Sequence, residues 1–285
     1  MSRFYFFILL NTFLINHVTA QITFAAEDSI LFEKKLTQLK SIQTPSLGDS
    51  IVFVGKSFLD IPYVEKTLEV GAKESLVINL RGLDCTTFVE NVLAFGLQIK
   101  EDEKLFMDFA KNLETIRYRN GELNGYPSRL HYFTEWIRNN QTKGLVQDIT
   151  SEIGGEIIEK SINFMGTHRN LYPFLADDTN YNEILKVESD LAKESLCILP
   201  QNKIEGQEAH IQNGDIIALA TSIKGLDVTH TGFAIRVNDR IHLLHASTSG
   251  SVTITEEPLT DYLKKIKSNT GIIVARPTLL SSQTP

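Results

Sequence analysis

Apolar residues along the chain follow one spacing in its first half and another in its last third. In the first half they recur every three to four residues, which predicts helices over residues 28–40, 86–100, 102–115 and 129–139. From residue 215 onward apolar and polar residues alternate, which predicts strands over residues 215–221, 230–237, 240–248, 251–255 and 271–278. A helical part followed by an antiparallel sheet predicts an α+β fold.

The first twenty residues have the pattern of a secretory signal peptide. Arg3 precedes an apolar stretch from Phe4 to about Leu14, and small residues end the segment at Ala20, where a signal peptidase would cut. The apolar stretch is shorter than the roughly 20 residues that span a bilayer, and no cysteine near the cleavage site offers a lipid attachment. The pattern predicts export of residues 21–285, without a membrane anchor, to a periplasm or out of the cell.

Charge and length limit the possible functions. The formal net charge is −7 and no dense stripe of lysine and arginine is present, which argues against a nucleic acid as the partner. Residues 21–285 can bury the core of one elaborated domain. The sequence predicts no particular oligomeric state.

The two cysteines, Cys85 and Cys197, allow two interpretations. In an exported protein they can form a disulfide, and closing a loop of about 110 residues contributes roughly 4–5 kcal/mol in the chain-entropy model. The surroundings of Cys85 favour a catalytic thiol instead. Asp84 is a suitable N-cap, so Cys85 falls in the first turn of a helix, where free N–H groups favour a thiolate and can hold an oxyanion. Cys197 has no such surroundings and is interpreted as a buried small apolar residue.

A predicted hairpin places two histidines together. With a two-residue turn at 238–239, Gly232 faces His245, and His230 lies diagonally across from His245 at roughly 7–8 Å between Cα atoms. These residues share one face of the hairpin with Ala234. Because Gly232 and Ala234 are small, we expect a helix to pack closely on that face.

A thiol and two imidazoles form a known catalytic arrangement. One histidine acts as base and then as acid, and a second polar group orients its ring. The sequence therefore predicts a triad of Cys85, His230 and His245.

Several ordered motifs resemble the NlpC-like papain-fold cell-wall hydrolases. They are "FLDIPYVEKTLE", "LRGLDCTTFVE", "GDIIALAT", "VTHTGFAIRV" and "IHLLHASTSGSV". The "TLE" after Pro-Tyr, the "DCTTFVE" stretch and "YPSRLHYFTEWI" are similar to the N-acetylmuramoyl-L-alanine amidase-like branch, and the match extends from about Phe58 to Pro277. The resemblance implies a papain-like, NlpC-type α+β fold, with a nucleophile helix packed on an antiparallel sheet and a large helical and irregular insertion at about residues 97–212.

The resemblance also implies an activity and site residues. The activity is hydrolysis of the N-acetylmuramoyl-L-alanine amide bond in peptidoglycan or a muropeptide, without a cofactor or metal. Cys85 matches the nucleophile, His230 the base and His245 the orienting residue. Tyr63 matches a tyrosine that borders the nucleophile. Tyr126 and Arg129 match a segment that lines the substrate groove in these relatives.

The chain departs from the pattern of these relatives in three places. Asp60 stands where a glycine is common, residues around Lys66 replace a glycine pair, and the spacing from His230 to His245 is a few residues longer.

Other functions remain open at this point. A zinc site assembled from His210, Asp227, His230 and His245 is one alternative, although no short His-x-x-x-His helix supports it. A peptidase that cuts the stem peptide between D-Glu and the diamino acid is another, and a non-catalytic peptidoglycan-binding module is the third.

The arginines near residue 120 allow two interpretations as well. A guanidinium can grip substrate carboxylates, or it can pair with local Glu122 or Glu135. For Arg117 and Arg119 the local pairing is favoured. For Arg129 both interpretations stay open.

Overall fold

The computed structural model describes residues 22–39 and 44–279, so the predicted signal peptide lies outside the described residues. Its α-helices are α1 (Ala26–Leu39), α2 (Leu47–Lys56), α3 (Cys85–Lys100), α4 (Phe106–Arg117), α5 (Phe133–Thr142), α6 (Phe164–Thr167), α7 (Asp178–Leu191), α8 (Ile204–Gln207) and α9 (Leu259–Lys264). Its strands are β1 (Ile22–Thr23), β2 (Leu76–Val77), β3 (Val146–Asp148), β4 (Glu156–Ile158), β5 (Leu196–Pro200), β6 (Ile216–Thr221), β7 (Val228–Val237), β8 (Arg240–Ala246), β9 (Val252–Ile254) and β10 (Asn269–Pro277). None of the helices in these two ranges combines the length and apolar character needed to cross a membrane.

The main sheet is antiparallel and has helices packed on it. Seven of its strands follow the order β4-β5-β10-β6-β7-β8-β9, and β3 also pairs with β10. Strands β1 and β2 form a small parallel pair. The predicted combination of helices with an antiparallel sheet is confirmed.

Two hydrophobic cores cover the two faces of the sheet. One contains Phe88 of α3 together with Phe233 of β7, whose rings lie 5.7 Å apart. The other contains Leu219 and Leu243 of the sheet with Leu259 of α9. Because both faces are covered, every residue of the central strand β6 is buried.

The predicted hairpin between β7 and β8 is confirmed. Asn238 and Asp239 have φ values of 48° and 62°, the left-handed conformation that a two-residue turn of this type requires. The register runs from Val237 opposite Arg240 to Phe233 opposite Leu244, as expected.

The helix expected on the face of Gly232 and Ala234 is α9, whose Leu259 lies in the same core as Ala234. Helix α3 packs on the opposite face, where Phe88 contacts Phe233. The space beside Gly232 is filled by the neighbouring strand, because a Cβ atom there would come within 2.6 Å of the Leu244 carbonyl oxygen and 2.8 Å of His245 Cβ.

Helix α5 begins at Phe133, four residues after its predicted start. Tyr126–Ser128 form a 3₁₀ turn that contains Pro127, and Arg129 is extended and bridges to Tyr118. Residues 97–212, predicted to be an insertion, contribute α4 to α8 and also strands β3, β4 and β5 of the sheet.

Candidate active site

Cys85 is the first residue of α3, and a complete capping box fixes this helix start. Asp84 Oδ1 accepts a hydrogen bond from the Thr87 N–H at 2.7 Å, and Thr87 Oγ1 accepts one from the Asp84 N–H at 2.9 Å. The predicted N-cap is confirmed. The N–H groups of Cys85 and Thr86 precede the first N–H that a carbonyl within the helix can reach, so they stay available to a ligand.

The thiol of Cys85 is protonated at rest. Burial, followed by the Asp84 carboxylate, raises its pKa to about 12. The N–H groups of Thr231 and Thr86 and the Thr86 hydroxyl lie close enough to oppose this rise. The expected resting thiolate is therefore not favoured, because burial disfavours the charged form and the N-cap carboxylate offsets the field of the helix start.

His230 and His245 are joined by a hydrogen bond. His230 Nε2 lies 2.6 Å from His245 Nδ1, and the ring planes are nearly perpendicular, at 89°. His230 is half-buried and His245 is buried. His230 Nδ1 takes part in no hydrogen bond with a residue that the structure describes. Either His230 Nε2 or His245 Nδ1 can carry the shared proton, and when it lies on His230 Nε2 the Nδ1 atom of His230 has a free lone pair.

Both imidazoles are neutral at neutral pH. Burial lowers the pKa of His230 to about 4. Burial, and then the neighbouring His230, lower the pKa of His245 to about 3. The Cys85 thiol and both imidazoles are therefore uncharged at neutral pH.

The Cys85 thiol lies near the end of the ladder between β7 and β8. His230 pairs with Leu219, which places its side chain on the face opposite α3. The ladder between β7 and β8 ends at Phe233 and Leu244, and Thr231, beyond that end, is close enough to Cys85 to influence its pKa. Cys85 therefore lies near the point where the two strands no longer pair.

Two tyrosines surround this centre, and only Tyr63 was predicted. The Tyr63 N–H donates to the Gly250 carbonyl at 2.8 Å, and burial, followed by charge on Cys85, raises the pKa of Tyr63 to about 12. Tyr262 of α9 packs edge-on against His245, with ring centroids 5.5 Å apart. No local sequence signal marks Tyr262, because its contact depends on how α9 packs against the sheet.

A cleft of about 210 Å³ opens beside Cys85. Its walls include both neighbours of Cys85 and residues from three other segments, among them Glu69, Asp84, Thr86, Arg129, His131 and Tyr172. Predicted Arg129 therefore lies in the same cleft as the start of α3. Tyr126 does not line the cleft. It is 2% exposed and lies beneath Arg129, with the guanidinium carbon 4.9 Å from its ring centroid.

The alternative interpretations were a disulfide between Cys85 and Cys197 and a zinc site that includes Asp227. Cys85 and Cys197 are both free, and Cys197 is half-buried rather than buried as expected. Asp227 instead holds the start of α5, because it accepts hydrogen bonds from the N–H and hydroxyl of Thr134, both at 2.8 Å. Within residues 22–39 and 44–279 no three His, Cys, Asp or Glu side chains converge as metal ligands.

All three arginines near residue 120 lie within ion-pair distance of glutamates, and the partners of Arg129 are Glu69 and Glu74. Arg119 pairs with Glu135 at 2.6 Å, which confirms the local interpretation. Arg117 pairs with Glu90 of α3 at 2.7 Å, so its expected partners, Glu122 and Glu135, were wrong. That partner is distant in sequence and has no local signal.

Two of the departures from the family pattern have a backbone explanation. Asp60 has φ 68° and Lys66 has φ 60°, the left-handed region that glycine adopts most easily. The loop around Tyr63 thus keeps the conformation for which glycines are suited, although its side chains differ.

Solved structures similar to this chain come from several bacteria, whereas no curated protein matches it. An N-acetylmuramoyl-L-alanine amidase from Bacteroides uniformis is 40% identical, with 81% of this chain and 98% of that chain covered and a TM-score of 0.77. A Bacteroides fragilis protein provisionally named a xylanase is 43% identical, with 79% and 99% covered and a TM-score of 0.75. A Legionella pneumophila protein shares the fold at 22% identity, with 88% and 95% covered and a TM-score of 0.65.

The family model that matches this chain spans most of the features described above. It covers residues 53–272, from α2 through the capped start of α3 to β10. The residues that the family model covers thus form a mixed α/β structure. The chain belongs to the AmiA-like family of N-acetylmuramoyl-L-alanine amidase-like proteins.

Proposed function

We propose that this protein is a cysteine hydrolase that cleaves the N-acetylmuramoyl-L-alanine amide bond of peptidoglycan fragments. The observation that carries the proposal is the 2.6 Å hydrogen bond between His230 and His245, beside a thiol at a capped helix start. Membership of an amidase-like family and 40% identity to the Bacteroides uniformis amidase support the choice of bond. The motifs around these residues support an NlpC-like, papain-type fold.

The first step forms a covalent bond to sulfur. The Cys85 thiol transfers its proton to His230 Nδ1 as the sulfur attacks the lactyl carbonyl carbon. His245 accepts the hydrogen bond from His230 Nε2 and holds the ring in place while it is charged. The N–H groups at the start of α3 stabilise the oxyanion.

The second step releases both products. The His230 imidazolium gives its proton to the alanine nitrogen, the C–N bond breaks, and the stem peptide leaves with a free amine. His230 then takes a proton from water as the water oxygen attacks the thioester. The sugar leaves as a lactyl carboxylic acid, and the proton returns to the Cys85 sulfur.

The proposed setting is outside the cytoplasm. The pattern of residues 1–20 supports a signal peptide, and the proposed substrate occurs in the cell wall. We place the mature chain, residues 21–285, in a periplasm or outside the cell. Residues 97–212 are proposed as the family-specific insertion, and they contribute Arg129 to the cleft.

The proposal is tested by mass spectrometry of defined muropeptides digested with residues 21–285. We expect release of the intact stem peptide, its survival in EDTA, and its loss in Cys85→Ala. Cleavage within the stem would show a peptidase. Absence of cleavage by reduced, folded protein would favour a binding module, and loss with EDTA would revive a metal mechanism.

A xylan digest is a useful negative control because of the name given to the Bacteroides fragilis relative. Most glycosidases use a pair of carboxyl groups, about 5–10 Å apart, rather than a thiol. We expect no products from xylan.

A further inference from the structure

The cleft beside Cys85 contains a buried cation whose hydrogen-bonding capacity is not used. The Arg129 side chain is 8% exposed, and its Nε has no hydrogen-bond partner in the described part of the chain. The nearest carboxylate oxygens are Glu69 Oε1 at 3.6 Å from Nη2 and Glu74 Oε1 at 3.5 Å from Nε. Hydrogen bonds from N–H to oxygen are shorter, at about 2.7–3.2 Å. Both glutamates therefore balance the charge of Arg129 without satisfying its donors.

The surroundings of Arg129 hold it in this open state. Glu74 is turned toward Tyr118, whose hydroxyl donates to Glu74 Oε1 at 2.8 Å. The Tyr126 ring lies beneath the guanidinium, at 4.9 Å. The guanidinium is close enough to oppose the rise that burial causes in the pKa of the Tyr126 hydroxyl, but that hydroxyl has no hydrogen-bond partner. Buried charged groups are normally hydrogen-bonded, so the Arg129 Nε–H is available to a ligand, and Glu74 Oε2 is likewise without a partner among the described residues.

The chemistry of the cleft selects a carboxylate. A guanidinium presents a planar fork of N–H donors that matches both oxygens of a carboxylate. The cleft, at about 210 Å³, is smaller than sites that hold whole drug-sized ligands, so it accommodates a part of the substrate. Of the two halves of a muropeptide, the stem peptide carries free carboxylates.

His131 adds an acceptor at the same place. Its Nε2 donates to the Tyr126 carbonyl at 3.0 Å, which leaves Nδ1 as an acceptor. Burial, followed by Arg129, holds the pKa of His131 well below its ordinary value, so the ring is neutral. The cleft therefore offers a cationic donor in Arg129 and a neutral acceptor in His131, which suits a carboxylate next to an amide N–H.

We propose that Arg129 binds the free α-carboxylate of the D-glutamyl residue that follows L-alanine in the stem. This inference rests on the proposed function, because it takes the alanine amide as the bond at Cys85. The cleft starts at Asp84 and Thr86, on either side of Cys85, and extends to Arg129. The nearest carboxylate beyond the leaving alanine belongs to the second stem residue, whose γ-carboxyl forms the next amide bond.

Two matched substrates test the assignment. They are disaccharide tripeptides that differ only at the D-glutamyl α position, which is a carboxylate in one and a carboxamide in the other. For the wild-type protein we expect KM to be at least about tenfold higher for the carboxamide, the effect of losing a charge-assisted hydrogen bond. In Arg129→Gln this ratio should fall to near one, mainly through a higher KM for the carboxylate.

Matched variants separate this role from a structural one. Arg138→Gln, on α5, should retain the wild-type ratio, because its guanidinium bonds the Ser195 carbonyl rather than lining the cleft. Arg129→Lys keeps the charge without the fork and should give an intermediate ratio. A ratio unchanged in Arg129→Gln, or equal losses for both substrates, would overturn the inference.

The two substrates test the inference with the wild-type protein alone, even if a variant does not fold. Equal hydrolysis of both substrates overturns the inference and leaves the proposed function standing. Hydrolysis of neither by the folded, reduced protein overturns both.

Discussion

Two buried arginines from the same segment of the chain, Arg117 and Arg129, differ in their hydrogen bonds. Arg117 is 2% exposed, and it donates from Nε to Glu90 at 2.7 Å and from Nη1 to the Val77 carbonyl at 2.6 Å. Arg129 is 8% exposed and stays at 3.5 Å or more from its two glutamates. Burial and charge are thus alike, whereas hydrogen bonding differs.

The difference follows from the elements that carry the two residues. Arg117 ends α4, a helix packed on α3, so its partner Glu90 is fixed by helix packing. Arg129 lies in an extended segment after a 3₁₀ turn, at the wall of a cleft. A buried charge that the fold satisfies serves stability, and one that the fold leaves unsatisfied is available to a ligand.

The largest expected effect is on stability. Arg117→Gln should lower the free energy of unfolding by about 3–5 kcal/mol, because it leaves Glu90 buried without a partner. Arg129→Gln should lower it by only about 1 kcal/mol, because the Arg129 guanidinium makes no hydrogen bond to either glutamate that the substitution could remove. Urea unfolding of both variants measures this. Equal losses would mean that Arg129 is as structural as Arg117.

Tyr118 and Tyr126 extend the comparison of Arg117 with Arg129 to smaller changes in the free energy of unfolding. Tyr118→Phe should cost about 1–2 kcal/mol, because the hydroxyl donates to Glu74 at 2.8 Å. Tyr126→Phe should change the free energy of unfolding by less than about 0.5 kcal/mol, because its buried hydroxyl has no partner to lose. Thermal or urea unfolding of the two variants decides. A larger loss in Tyr126→Phe would reveal a bond from that hydroxyl and break the contrast.

The smallest expected effect concerns pH. The lowered pKa of His230, about 4, keeps this proposed general base neutral as the pH falls through the ordinary histidine range. Between pH 7.5 and 5.5, kcat/KM on the carboxylate substrate should therefore fall by less than about twofold, whereas a base with an ordinary pKa near 6.5 would give roughly a tenfold fall.

A control isolates His230 in the pH profile. His242 lies on β8 and bonds the Thr255 carbonyl through Nδ1, so His242→Gln should leave the profile unchanged. An acid limb near pH 6.5 in the wild type would show that His230 is more solvated than its burial implies.

The features that could be predicted from the sequence depend on residues close together in the chain. The capped helix start needs only Asp84, Cys85 and Thr87. The hairpin register needs only a two-residue turn, and the diagonal placement of His230 and His245 follows by alternation. The motif resemblance then connected these two local structures.

The features that could not be predicted depend on packing between distant segments. Gly232 and Ala234 suggested a helix on their face, but alternation alone does not show that this helix is α9 and that α3 covers the other face. The pKa of Cys85 rises through burial, which a sequence does not display. Tyr262 reaches His245 only through the packing of α9, and Glu69 approaches Arg129 only through a loop.

The left-handed backbone at Lys66 has a consequence for the way in which a substrate arrives. A glycine would relieve the backbone there, but it would leave the mouth of the cleft without a side chain, whereas Lys66 is exposed and lines that mouth. The protein as a whole carries a formal charge of −7, which repels anionic wall fragments at long range. A cation at the entrance creates a local attraction against that field, so the association rate of anionic fragments should depend on ionic strength. The left-handed backbone position of Lys66 thus influences the rate at which an anionic substrate associates with the cleft.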